Sequence, residues 1–481
     1  MRLTAKVTAL AATTVIVAGA LSACSGGGGE QAGTVKVAST LGPGEGSLNL
    51  VSLSGFVENG GNDPRVDWVT PFEKRTGCKV SWKLARDPRE MADLMHDRGR
   101  RYDGVSAPPE VAGQLVADKQ VVAVNPDLVD GFKKIEPRLR ALLRKDGEYY
   151  GVPYVWGSNL LMYDTRAVQP APASWAALFD PGQARRYSGR LVMRDSPLAI
   201  AEAALYLKGA ERKLKISDPY SLTPKQLDAA VRVLARQRPH VKHYWSAPAD
   251  AVSAFADGGT GHGGTVAPSP SGAPGSAAPG SAAPASTPPP SGTSAPVSGT
   301  PAPGVTTPSP SASSSPSASP GASASQGVPV VRDRGEPPAV LGEAWPYQVD
   351  VLGRSGKPVR GVVPSEGVTG WMDAWMIGAR VQHPSCMYQW LQWTASPDVQ
   401  QQVAEWAGVA PANPQACAGD RLKPGFCDAY RVGDRGYLDE VVFAHTPSKT
   451  CAGKRGKDGG GKRGCTDYAE WTRKWIEATK L

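Results

Sequence analysis

Residues 258–331 contain no Lys, Arg, Asp or Glu, and 16 of the chain's 44 prolines lie there. The remainder of that stretch is mostly Ala, Ser, Gly and Thr. It offers too little apolar surface to offset the entropy of ordering it, so it is expected to be disordered. Sequence on both sides reads as folded. The stretch is therefore expected to be an insertion in a surface loop rather than a domain linker, and loop-closure entropy grows only with the logarithm of length. Outside it, the 481-residue chain has an ordinary globular composition and enough length for two cores. No strict Gly-X-Y period occurs, which excludes a collagen-like fibre. The formal charge is +9, but the basic residues are scattered. The one dense run is Lys454, Arg455, Lys457, Lys462 and Arg463, set among glycines. It reads as a solvated loop rather than a nucleic-acid stripe.

Arg2 and Lys6 precede an uncharged run ending at Ala23, too short for a comfortable membrane span. The run closes with Leu21-Ser22-Ala23-Cys24, which resembles a bacterial lipobox. That resemblance implies a signal peptide over residues 1–23 and a lipid on Cys24, with a Gly-rich tether through residue 46. The mature chain is then expected outside the cytoplasm, anchored to the outer face of the cell membrane. Seven cysteines less Cys24 leave an even number in an oxidising compartment. Fifteen pairings are open. Short-loop closure favours Cys417–Cys427 and Cys451–Cys465, leaving Cys78 for Cys386. No C-x-x-C pair occurs, so no zinc or thioredoxin-like site is expected.

Hydrophobic periodicity predicts strand, helix, strand, helix and strand at residues 48–51, 67–75, 78–84, 88–96 and 101–106. That order suggests parallel pairing and a layered α/β protein. Residues 149–163 read as a buried strand, 191–193 as another, and 340–345 and 359–363 as short ones. Helices are expected at 199–207, 223–237, 399–406 and 468–479. Residues 223–237 have Thr223 as cap and an apolar face of Leu227, Ala230, Val231 and Leu234. The six histidines include no H-E-x-x-H, and no G-x-S-x-G elbow or Walker loop is present. Nothing argues for catalysis, a metal or a cofactor.

Several segments, in order, resemble type II substrate-binding proteins of ABC importers. They are Thr70-Pro71-Phe72-Glu73-Lys74-Arg75-Thr76-Gly77-Cys78-Lys79-Val80, Tyr102-Asp103, Gly151-Val152-Pro153-Tyr154-Val155-Trp156-Gly157, Trp175-Ala176-Ala177-Leu178-Phe179, Val362-Val363-Pro364-Ser365-Glu366-Gly367 with Trp371-Met372-Asp373, and Ser396-Pro397-Asp398-Val399 with Gln402. The set is most similar to the spermidine/putrescine-binding branch. It implies an α/β, two-lobed, periplasmic-binding-protein-like (type II) fold. The first lobe would hold residues 47–151 and 369–445. The second would hold residues 152–368 with the 258–331 insertion, and 446–481 would form a disulfide-bearing loop and C-terminal helix.

The resemblance implies a monomer that binds a small solute, a polyamine or related amine, and passes it to the transmembrane subunits of an ABC permease. No nucleic acid is expected as a partner. A surface adaptor that keeps the fold without transport remains a second reading. A polyamine site needs carboxylates for its ammonium groups and aromatic walls for its methylenes. Candidate walls are Phe56, Trp156, Trp345, Tyr347 and Trp371; core packing is the alternative for each, and Trp345 and Trp371, both beside turns, read as pocket residues. Candidate carboxylates are Glu110, Asp195 and Asp373; Asp195 could instead cap the following helix. Ser54, in the loop after the first strand, and Gln402 complete the expected set. The chain departs from the branch at Leu53, Pro108-Pro109, Ser196 and Ala199, where aromatic, hydroxyl or acidic residues are usual. Fewer acids imply fewer ammonium groups.

Overall fold

A computed structural model describes residues 40–256, 337–419, 422–451 and 464–480. The expected signal peptide, Cys24, the 258–331 insertion and the basic run at 454–463 lie outside the described residues. The chain opens with β1 (Ser47–Ser52), α1 (Val69–Thr76), β2 (Lys79–Leu84), α2 (Pro88–His96) and β3 (Gly104–Ala107). β1 pairs in parallel with both β2 and β3, as the alternation predicts. α1 stops at Gly77, whose φ of 73° favours a residue without Cβ. α2 starts at Asp87, whose carboxylate accepts the Glu90 N–H. α3 (Pro109–Ala117) follows β3 at once. Pro108-Pro109 looks like a turn in the sequence, yet proline suits the first helical position, where no N–H partner exists.

The second block runs β4 (Val152–Asp164), β5 (Leu191–Arg194), α4 (Ile200–Ala210), α5 (Pro224–Gln237), β6 (Val241–Trp245) and α6 (Pro248–Ala256). After the insertion come β7 (Leu341–Ala344), α7 (Pro346–Arg354), β8 (Val359–Val362), β9 (Val368–Gly378), α8 (Pro384–Thr394) and α9 (Pro397–Ala407). β10 (Val441–Phe443) and α10 (Tyr468–Thr479) close the chain. At the start of α5 the Thr223 N–H donates to Gln226 Oε1 at 2.8 Å. α5 buries Leu227, Ala230, Val233 and Leu234, with Val231 at the margin.

The strands join one mixed sheet, ordered β2-β1-β3-β9-β4-β7-β5-β6 along its main path. β9 and β4 are long antiparallel neighbours at its centre. Around them lie two separate large cores. In one, Phe72, Trp156, Trp375, Trp390 and Val403 bring together α1, α8, α9 and the first half of β4. In the other, Leu161, Leu191, Ala203, Leu227 and Trp471 bring together the end of β4 with β5, α4, α5 and α10. β4 therefore serves both cores in turn. This is the α/β fold that the segment order implies.

Disulfides link Cys78 to Cys386, Cys417 to Cys427 and Cys451 to Cys465. The first joins α8 to the residue before β2, within the first core. No helix among the described residues is long and apolar enough to cross a membrane.

Candidate functional site

The register of β9 on β4 decides which side chains share a face. Thr369 lies opposite Asn159, Trp371 opposite Gly157, and Met372 opposite Trp156. Successive residues of a strand point to opposite sides. Thr369, Trp371, Asn159 and Gly157 thus share one face, and Trp156 and Met372 the other. Gly157 is required where it stands, because a Cβ there would lie 2.5 Å from a Trp371 ring carbon.

Trp371 packs on Trp345, with ring centroids 4.9 Å apart. Trp345 Nε1 donates to Asn159 Oδ1 at 2.9 Å. The Asn159 amide donates to Glu202 Oε1 at 2.9 Å and to Thr369 Oγ1 at 2.7 Å. The Thr369 hydroxyl in turn donates to Glu202 Oε1. The Arg194 guanidinium lies 5.4 Å from the Trp345 ring centroid. Its Nη2 stands 3.6 Å from Glu110 Oε1. The Arg194 N–H donates to Glu343 Oε2 at 3.3 Å.

One carboxylate, Glu110, thus pairs with the guanidinium, Glu343 accepts from the Arg194 main chain, and the Arg194 charge also reaches Glu202 and Asp373. Exposure is 0% for Glu202 and Glu343, 4% for Asp373 and 6% for Glu110. Burial pushes all four carboxyl groups above their ordinary range, well above for Glu343 and Asp373. Charge on Glu202 raises Glu343 further, and charge on Glu110 raises Asp373, while Arg194 pulls all four back. Glu202 Oε2, Glu343 Oε1 and Trp371 Nε1 are buried with no hydrogen-bond partner among the described residues. Unpaired polar atoms at this depth are costly. The elements that supply them sit on both large cores and on a smaller third one, where α3 packs against β3. Glu110 comes from α3 and Asp373 from β9, whereas Arg194, Glu202 and Glu343 come from β5, α4 and β7. Chemically, the arrangement can accept positive charge and present an aromatic wall beside it.

Of the residues picked from the sequence, Glu110, Trp345, Trp371 and Asp373 meet here. Trp156 does not; it points to the opposite face, where its Nε1 donates to Pro411 O at 3.1 Å and its ring meets Phe443. Phe56 packs edge-on to Tyr154 in the first core. Ser54 is exposed in the turn after β1. Tyr347 lies against Gly408, where a Cβ would be 2.2 Å from its ring. Gln402 bonds back along α9 to Asp398 O at 3.5 Å. Asp195 neither reaches the cluster nor caps the helix. It accepts from Trp475 Nε1 at 3.0 Å and Lys480 Nζ at 2.6 Å, which docks α10 on the second core, while Ser196 supplies the cap.

Arg194, Asn159, Glu202, Glu343 and Thr369 belong to the cluster but not to the residues picked from the sequence, and the cluster holds more acids than the expected set. A signal existed: Glu202 interrupts the apolar run Ile200-Ala201-Glu202-Ala203-Ala204-Leu205, and Glu343 stands in an otherwise apolar four-residue strand. A lone charge in a buried element must have a partner or a purpose. Elsewhere, an open concavity of about 400 Å³ lies on the rim of the sheet, lined by Trp82, Lys83, Arg100 and Arg101 among others. It carries no carboxylate and shares no residue with the cluster. Among the described residues, no group of His, Cys, Asp and Glu is placed to hold a metal.

Residues 67–300 match the family described as bacterial extracellular solute-binding protein. That match, with the relatives and solved structures below, supports a solute-binding protein like the spermidine/putrescine-binding branch. The chain is 26% identical over 172 residues to the spermidine/putrescine-binding periplasmic protein of Escherichia coli, covering 35% of this chain and 46% of that one. It is 27% identical over 145 residues to a maltooligosaccharide ABC transporter solute-binding lipoprotein of Streptococcus pneumoniae, covering 30% of this chain and 34% of the relative. The chain thus spans less than half the length of the curated relatives it matches. Among solved structures it resembles the spermidine/putrescine ABC transporter substrate-binding protein of Streptococcus pneumoniae in complex with calcium and HEPES. The TM-score is 0.53 at 15% identity, covering 90% of this chain and 97% of the other. At that identity the likeness speaks for the fold alone. These relatives and this fold are those of solute-binding proteins, not enzymes.

Proposed function

We propose that this solute-binding protein captures a small amine between two lobes and delivers it to the transmembrane subunits of an ABC permease. The first lobe is residues 47–151 with 369–445, and the second is residues 152–368. The solute enters between Glu110 and Asp373 on one side and Glu202 and Glu343 on the other, against Trp345 and Trp371. A lipid on Cys24 holds the protein to the outer face of the membrane.

One observation carries this reading: four buried carboxyl groups share the field of one arginine, which pairs with Glu110, beside two tryptophans in contact. A neutral sugar needs an aromatic platform with balanced donors and acceptors, and brings no positive charge to offset four buried acids. An ammonium group replaces the water that these carboxylates lose and pairs with the atoms left unpaired. The aromatic walls add about 0.5–2 kcal/mol for each close cation. Lobe closure around the solute follows from a site whose groups come from both cores.

Thermal unfolding with a panel of amines, amino acids and maltooligosaccharides tests the proposal. An amine at 100 times its dissociation constant should stabilise the protein by about 2.7 kcal/mol. Stabilisation by the sugars alone, or by nothing in the panel, contradicts it.

A further inference from the structure

The acidic seam already contains one cation that cannot leave by losing its proton. Arginine stays charged at every physiological pH. Arg194 ends β5, and its N–H is held by Glu343 at 3.3 Å. Its side chain is 17% exposed, lies across Trp345 and ends beside Glu110 on α3. An aromatic face with a carboxylate at its edge is the environment an ammonium solute would seek. Here the chain fills that position itself.

The remaining acids are not served by Arg194 alone. Asn159 and Thr369 both bond Glu202 Oε1. The other oxygen, Glu202 Oε2, is unpaired and fully buried, and so is Glu343 Oε1. Burial raises Glu343, and the charge on Glu202 raises it further. Two buried acceptor oxygens thus lack a donor, and one ammonium has three.

Resting on the reading of the seam as an amine site, we infer that Arg194 is a tethered cation occupying one of two cation positions, and that Glu202 and Glu343 form the other. The solute therefore brings a single ammonium. A second ammonium on the same chain would meet the Arg194 guanidinium and be repelled. Arg194 is the specificity-determining residue that separates monoamines from polyamines.

A four-carbon series tests this, because its members differ only at the far end: n-butylamine, 4-aminobutanoate and putrescine. Binding of each to the full chain is measured by isothermal titration calorimetry at neutral pH. The wild type should bind at least one of the single-ammonium members ten times or more tighter than putrescine. Arg194→Met should shift the ratio toward putrescine by at least tenfold. Arg194→Lys, which keeps the charge, should leave the preference in place. Glu202→Gln should weaken the preferred monoamine by tenfold or more while Glu58→Gln, at an acid outside the cluster, does not. A wild type that prefers putrescine overturns the inference and leaves the amine reading standing, whether or not the Met variant folds. An unchanged ratio in a folded Arg194→Met variant overturns it too. A wild type that binds no amine of any kind overturns the amine reading itself.

Discussion

The two faces of the paired strands β4 and β9 are built from alternate residues of the same segments, and they have opposite fates. On one face Tyr154, Trp156 and Met372 pack into the first core, and Trp156 Nε1 finds a carbonyl. On the other face Asn159, Thr369 and Trp371 meet Glu202, Trp345 and Arg194, and leave buried polar atoms without partners. The first face is apolar packing, although Tyr154 Oη is buried there without a partner too. The second has a surplus of negative charge that only protons or an arriving cation can relieve. An aromatic-rich segment thus serves stability or recognition according to parity along the strand.

Exchanging one tryptophan from each face gives the largest contrast. Trp156→Ala should cost about 3–5 kcal/mol of stability, read by denaturant unfolding, while the folded fraction keeps its amine affinity. Trp371→Ala should lower amine affinity by tenfold or more in titration calorimetry. Equal losses of affinity in both would erase the distinction between the faces.

A smaller effect is expected where the recognition face is tight. The Cβ of Gly157→Ala would press on the Trp371 ring from 2.5 Å. Overpacking of this kind should cost about 1–3 kcal/mol. Because Trp371 must move, amine affinity should fall with stability, unlike in Trp156→Ala.

The surplus of charge also makes stability depend on pH. Unfolded, Glu343 titrates near its ordinary value of 4.5, and in the fold burial and Glu202 raise it well above that. Between the two values the folded chain holds a proton that the unfolded chain has lost. Stability is then greatest below about pH 4.5 as far as this group is concerned. It falls as pH rises toward the folded value, by about 1.4 kcal/mol for each unit of separation. Melting temperatures of the solute-free protein from pH 5 to 8 should show this fall, and Glu343→Gln should flatten it. A steeper fall in the variant would contradict the assignment.

The smallest change is expected on neither face. Asp195→Ala removes the acceptor of Trp475 and Lys480 and should cost about 1–2 kcal/mol in denaturant unfolding, without altering amine binding.

Much of the fold was legible because local periodicity survives where an element is half exposed. The alternation from β1 to β3, the capped α5 and the C-terminal α10 all stand on such patterns. The three disulfides follow the loop-length reading. β9 was missed as a strand because every residue in it is buried, so no period of two remains. α7 and α8 open at prolines, which resemble turns when read locally. In the site, Glu110, Trp345, Trp371 and Asp373 were picked from segments that resemble a family. Asp195 was read as a candidate and its neighbour Arg194 was not, yet successive positions at the end of β5 diverge, and Arg194 reaches the cluster. Glu202 and Glu343 are 141 residues apart with the insertion between them, and only the pairing of the sheet brings them together.

The central claim is that an ammonium group sits between Glu202 and Glu343. A high-resolution crystal structure of the chain with a bound four-carbon amine tests it most directly. The account predicts the amine nitrogen within about 3 Å of both carboxylates, with Trp371 alongside and Arg194 still over Trp345. An amine bound elsewhere, or one whose nitrogen contacts neither acid, would contradict it.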